Sequence, residues 1–406
     1  MYNRQKGAAA VLFMCMLPAM IGFFAFTSQV VQHLQSDAKL MEATEVATLA
    51  LIATSTGKNK PDDRLAEAIV DRYIPNNIDG IEIKIQSVKC DYDNGCMSQN
   101  KEISPYNDYT VTAKSKHNSW ISFGNIETLK PEFTVSSSTI ARKYLPKPVD
   151  IYFIVDMSES MGRPFMSDRS RKKIDVVKST IKAITQDLEK FNKHSNDKSR
   201  VAFIGYNHYN VQNVNGVNYF TDQVVNDNAY DTVREMFDDN KKLFTDHGSN
   251  SNFHDIDLTD DYEQFNKEIS PFIAKAYGST RSWQGVIRAA QVTDSQSEYN
   301  AEQIIIVMSD GSDSSTDKLP NTFLKSLVKR GLCENIVSNL EGKVDRHGNK
   351  LNVIFSVIGI DFYLDETKNG FFDCVGKNNI YQAKQGDDVY KYIINLLSEE
   401  TGRLKL

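Results

Sequence analysis

Three separated pieces of the chain, Asp156-Met157-Ser158-Glu159-Ser160, Thr280 and Asp310, offer the carboxylates of Asp156 and Asp310 and the hydroxyls of Ser158, Ser160 and Thr280, with no His or Cys among them. An all-oxygen set of this kind suits a hard divalent cation. Mg²⁺ fits first, Mn²⁺ and Ca²⁺ share the ligand chemistry, and room is left for an incoming carboxylate. The same residues are poorly equipped for catalysis. Neither serine has a motif His beside it to act as a base, and the chain carries no His-Glu-x-x-His, no Gly-x-Ser-x-Gly and no Gly-x-x-x-x-Gly-Lys phosphate loop. The chemistry expected is cation-dependent binding, with a metal-assisted hydrolase as the weaker alternative.

Elements on either side must hold these oxygens. Ile151-Tyr152-Phe153-Ile154-Val155 is an unbroken apolar run, as expected of a strand buried on both faces of a parallel sheet. A helix follows, with Ile174, Val177, Ile181, Ile184, Leu188 and Phe191 on one stripe. Ile304-Ile305-Ile306-Val307-Met308 repeats the buried-strand pattern and Ser309-Asp310-Gly311 closes it. Both acids therefore belong at carboxyl ends of strands, the edge where open α/β sheets bind ligands. Thr280 sits in Gly278-Ser279-Thr280, ahead of Gly285 and the helix-forming run Val286-Ile287-Arg288-Ala289-Ala290, on a third loop. A plainer reading makes these polar residues helix caps and turn fillers.

The region from about Val149 to Leu397 resembles a von Willebrand factor type A domain, whose metal-ion-dependent adhesion site reads Asp-x-Ser-x-Ser, then Gly-x-Thr-x-x-x-x-Gly, then a strand-ending Asp-Gly. All three parts stand here in order. The resemblance implies that Ser158 and Ser160 ligate the cation directly, Asp156 and Asp310 mostly through water, and Thr280 directly or through water. The remaining position takes an Asp or Glu of a protein partner. The stretch 212–265 departs from the pattern, being long and acidic, and reads as an insertion near the rim: a solvated loop first, a partner-selecting one second. His247 and His254, flanked by Asp246 and Asp255, are a weaker candidate for a transition metal.

The 406 residues are enough for two domains, and a net charge of −6 without a basic stripe excludes a nucleic-acid footprint. From Gly7 through Ser36 there is no Asp, Glu, Lys or Arg, and Ala8 to Phe26 is almost wholly apolar, long enough to cross a bilayer. Arg4 and Lys6 precede it, so the positive-inside rule leaves the start cytoplasmic and exports the bulk. A cleaved signal peptide and a prepilin-style cut after Gly7 are the competing readings; Leu12 stands where pilin-like segments carry an acid. Pro18 is expected to kink the span without breaking it.

Cys15 falls in the span, leaving four cysteines in the exported part. An oxidising compartment favours disulfides, for which three connectivities exist. Cys90 with Cys96, across Asn94-Gly95, and Cys333 with Cys374 are the preferred pairs; free buried thiols are the alternative.

Beyond the span, Val31, Leu34, Ala38 and Met41 recur at helical spacing, then Ala43, Ala47, Ala50 and Ala53 allow close approach, with Gly57 as a stop. Ile81, Ile83, Ile85, then Tyr109, Val111, Ala113, then Phe133, Val135 alternate, which predicts a small antiparallel sheet covered on one face by the helix. Leu145-Pro146-Lys147-Pro148 is a stiff linker. Further strands (201–204, 353–358, 380–381) and helices (324–337, 389–397) complete a mostly parallel, doubly covered sheet. The expected organisation is an anchor at 1–28, a pilin-like helix and sheet at 29–145, and the α/β domain at 149–400. The membrane helix running into an Ala-rich one resembles the N-terminal segment of TadE/TadG-like proteins of the tight-adherence (Flp) pilus machinery. That resemblance implies a single-pass protein of the bacterial inner membrane with a periplasmic or pilus-associated bulk, working with pilus or secretion components. A purely structural pilin-like subunit, its metal only stabilising, is the rival.

Overall fold

The computed structural model describes residues 5–54, 63–90, 96, 105–123, 130–144, 147–193, 197–245, 252–274, 280–316, 318–364 and 370–400. The protein is mixed α/β and divides into two compact units, Met1–Leu145 and Pro146–Leu406.

In the first unit one helix, Gln5–Thr54, runs through 50 residues with Pro18 inside it. At 1.5 Å per residue it is roughly 75 Å long. Its apolar early stretch leaves Phe13, Met14, Met20, Phe23 and Phe24 exposed, and a window of mean hydropathy 2.1 makes it long and apolar enough to cross a membrane. Farther along, Leu40, Ala43, Ala47 and Leu51 are fully buried. Their spacing puts them on one face, and Ala43 and Ala47 bring the helix axis close to what it covers. That is an antiparallel sheet, β1 (Glu82–Cys90), β2 (Tyr106–Asn118) and β3 (Glu132–Tyr144) in order β1-β2-β3. Tyr109, Val111, Ala113, Phe133 and Val135 supply its covered face. Thr44 adds a polar stitch, its hydroxyl 3.1 Å from Ser137 Oγ and 2.9 Å from Thr139 Oγ1. Ala50 and Ala53 do not join the buried face, Ala53 being exposed. A helix the sequence reading did not anticipate, Asp63–Tyr73, packs Ala66 and Val70 into the same core. Cys90 is bonded to Cys96, while Gly57 lies outside the described residues.

The second unit is built on a nine-stranded sheet. β4 (Val149–Asp156), β5 (Arg200–Tyr206), β10 (Glu302–Ser309), β11 (Asn352–Ile360) and β12 (Ile380–Ala383) are parallel, in order β12-β11-β10-β4-β5. Alternation along β4 explains the two cores: Ile151, Phe153 and Val155 face one side with the helices Lys173–Asn192 and Gly386–Glu400, while Tyr152 and Ile154 face the helices Ser282–Asp294, Phe323–Lys329 and Leu332–Glu341. From β4 the chain goes to β5 on one side and returns as β10 on the other, so β4 and β10 flank the switch point of the sheet. Gly285 lies inside the helix that starts at Ser282, earlier than expected, and a Cβ there would meet Tyr206 Cδ1 at 2.5 Å and Ile154 Cγ2 at 2.6 Å. Only glycine lets this helix sit so close to the sheet.

Two expectations need correction. The stretch 324–337 is two helices rather than one, broken at Gly331, whose φ of +92° no ordinary side chain adopts easily. The acidic stretch 212–265 is not a plain solvated loop. It holds the hairpin β6 (Asn210–Val214) and β7 (Val217–Thr221), the strand β8 (Leu243–Phe244) against β7, a helix at Ala229–Arg234, the strand β9 (Ile256–Thr259) against β5, and a helix at Tyr262–Ile269. Several of its acids have internal work. Asp255 and Asp239 both pair with Arg288, Asp222 accepts from Gln284 Nε2 at 2.7 Å, and Asp261 caps the helix Tyr262–Ile269. Cys333 is bonded to Cys374 in this unit.

Candidate metal centre

β4 and β10 are paired so that Met308 lies opposite Val155, which places Asp156 and the Ser309-Asp310 step side by side where both strands end. The chain then turns sharply: Ser158 N donates to Asp156 Oδ1 at 2.8 Å, and a short 3-10 turn, Glu159–Gly162, presents Ser160. Ser158 Oγ lies 2.9 Å from Ser160 Oγ, and Ser160 Oγ donates to Asp310 Oδ1 at 2.7 Å across a separation of 150 residues. Ser309 Oγ donates to the other oxygen of Asp156 at 2.8 Å. Asp156, Ser158, Ser160 and Asp310 thus form one hydrogen-bonded chain.

Among the described residues Thr280 makes no hydrogen bond to these four; its backbone is tied instead to the loop that follows Asp310. Ser314 N donates to Thr280 O at 2.8 Å, and Thr280 is itself buried. Next to it, Asp313 accepts from Ser282 N at 2.6 Å and Ser282 Oγ at 2.8 Å, so the loop that follows Asp310 is sewn to the start of the helix Ser282–Asp294. A carboxylate at a helix amino end is favoured by the exposed N–H groups there.

The electrostatics follow from burial. Burial first, and the neighbouring Asp310 second, push Asp156 up to about 6. Burial pushes Asp313 up to about 7 against the two Ser282 hydrogen bonds. Two carboxylates sharing a dry corner need a counter-charge, and part of it is supplied by Lys173, whose Nζ donates to Asp310 Oδ2 at 2.8 Å. The donor set around the corner is all oxygen and includes two serine hydroxyls able to turn a lone pair inward, so the residues fit a hard divalent cation.

The transition-metal alternative finds less. His254 Nε2 is 2.6 Å from Glu268 Oε1, Asp255 is taken by Arg288 and Asn210, and Asp246 and His247 lie outside the described residues. Among the described residues no group of three or more His, Cys, Asp or Glu is placed to hold a metal ion. Three contributors escaped the sequence reading: Ser309 as an orienter of Asp156, Asp313 and Lys173. Ser309 was detectable as the step before the strand-ending Asp. Asp313 and Lys173 act across 31 and 137 residues and left no local signal.

No protein-family model and no curated protein matches the chain. Among solved structures, it is similar to the pilus adhesin SpaC from Lactobacillus rhamnosus GG, with 14% identity over 79% of this chain and 34% of that chain and a TM-score of 0.40. It spans about a third of that adhesin's length. It is also similar to the PilB minor pilin from Streptococcus sanguinis, with 10% identity, 79% and 78% coverage and a TM-score of 0.37. A third similarity is to proximal thread matrix protein 1 from the mussel byssus with a zinc-occupied MIDAS motif, at 14% identity, 62% and 46% coverage and a TM-score of 0.32.

Proposed function

We propose that this chain is a membrane-tethered adhesion or assembly protein whose second unit, a von Willebrand factor type A domain, holds a divalent cation at Asp156, Ser158, Ser160, Thr280 and Asp310 and uses it to capture a partner's carboxylate. The observation that carries this reading is the hydrogen-bonded chain from Asp156 through Ser158 and Ser160 to Asp310 at adjacent strand ends. Bound there, a divalent ion supplies a concentrated positive charge in a partly dry setting, which attracts an acidic side chain. The protein's own part is orientation: Ser309 fixes the Asp156 carboxylate, the 3-10 turn aims both serines, and Asp313 pins the third loop. Mg²⁺ is the proposed ion, and no step of covalent chemistry is required.

The narrower assignment, a TadG-like component of a tight-adherence pilus system anchored by its first helix, rests on the N-terminal resemblance and on a helix able to cross a membrane. The test is partner pull-down by the full chain in detergent, with and without EDTA. Loss of capture on chelation and in Asp156→Ala is expected. Capture indifferent to EDTA, with the cation only raising Tm, would instead favour a structural pilin-like role.

A further inference from the structure

Lys173 is the first residue of the helix Lys173–Asn192, a poor place for a cation, because the amino end of a helix carries positive partial charge. It is also buried, its side chain 11% exposed, which penalises an ammonium again. Two acids offset both costs. Lys173 Nζ touches Asp310 Oδ2 at 2.8 Å and lies 4.0 Å from Asp361 Oδ2, and these carboxylates are 0% and 7% exposed. The Lys173 backbone is tied to the same loop as the serines, its N–H donating to Arg163 O at 3.0 Å. Asp361 follows β11 with a left-handed φ of +52°, and it accepts from Met166 N at 2.8 Å. The ammonium therefore occupies the side of Asp310 opposite to Ser160, with a second acceptor within reach.

We infer that Lys173 is a built-in counter-cation: it neutralises Asp310 in the cation-free protein and shifts toward Asp361 when a divalent ion takes Asp310, so that Lys173 and Asp361 together set the affinity. This rests on the metal-site reading above. Formally, Asp156 and Asp310 carry −2 between them and Lys173 cancels one charge. The device relieves the like-charge repulsion between the two acids and weakens divalent binding in exchange.

The test measures Mn²⁺ affinity by the loss of the free-ion EPR signal, using the full chain in detergent. Lys173→Met is expected to tighten binding about tenfold or more, because a positive charge a few ångströms away is removed. Lys173→Arg keeps the charge and stays within about threefold of wild type. Asp361→Asn, which tolerates the left-handed backbone and still accepts from Met166, weakens binding about threefold, and the loss shrinks in the Lys173→Met background. Should Lys173→Met give no cooperative melt, Asp361→Asn decides. Unchanged affinity in the variants that fold, or equal tightening by Met and Arg, overturns the counter-cation role alone. No saturable Mn²⁺ binding by wild type or any variant overturns the metal site itself.

Discussion

The two ends of β4 bury an aspartate each and treat it differently. Asp150, at the amino end, accepts from Arg200 Nε and Nη2, both at 2.8 Å, from Asn300 N and Nδ2 at 3.0 and 2.8 Å, and from Gln303 Nε2 at 2.8 Å. A paired guanidinium and three further donors complete that carboxylate. Asp156, six positions on, is served by Ser158, through its N–H and its hydroxyl, and by Ser309 Oγ, and it faces another acid instead of an arginine. The same residue type in the same strand is a structural joint closed by an arginine at one end and, at the other, a carboxylate set beside a second acid, the one proposed to hold a cation. Burial alone therefore does not tell the two acids apart; the donors and charges around them do.

The sharpest break of this contrast comes from Asp150→Ala, which strands Arg200 in a largely buried position. It should cost about 3–5 kcal/mol of unfolding free energy, equally with EDTA and with Mg²⁺, in chemical denaturation. Asp156→Ala should behave oppositely, leaving the cation-free protein as stable as wild type or more so. What it should abolish is the gain of about 2.7 kcal/mol that a cation at a hundred times its Kd brings. A destabilised, still cation-responsive Asp156→Ala would erase the distinction between the two ends.

Acidity gives the next effect. Asp156 and Asp313 are raised to about 6 and about 7, so from about pH 4 upward the folded protein keeps protons that the unfolded chain has lost. Cation-free stability should fall as pH rises through that window, by up to about 1.4 kcal/mol per pH unit for each group. Thermal melts in EDTA from pH 5 to pH 8 would read the slope, and Asp313→Asn should flatten it. Smallest is Ser309→Ala, which removes the hydroxyl that donates to Asp156 Oδ2 and should cost about 1 kcal/mol. An effect as large as that of Asp150→Ala would mean that Asp156 is a structural joint after all.

Much of this site was legible because its residues sit next to strong patterns. Ile151 to Val155 and Ile304 to Met308 announce buried strands, and an acid ending each must fall on one rim if the strands are parallel neighbours, as β4 and β10 are. Lys173 was illegible for the converse reason: it stands in a run of surface-like basic residues, and only the meeting of its helix with β10 and β11 gives it two acids. The hairpin of β6 and β7 carries a local signal of its own. Val214-Asn215-Gly216-Val217 is a two-residue Asn-Gly turn, with φ of 54° and 81° at its centre, hidden in a stretch dominated by its charge. The helix Asp63–Tyr73 is short, and only the apolar core of its unit makes it stable.

The helix Gln5–Thr54 has no joint between its exposed apolar stretch and the residues clamped beneath the first sheet. A rod of this kind transmits twist as well as pull. Inserting one residue between Thr27 and Lys39 would turn everything beyond it by about 100° and advance it by about 1.5 Å. The angular heading of the first sheet about the helix axis is thus counted out in whole residues.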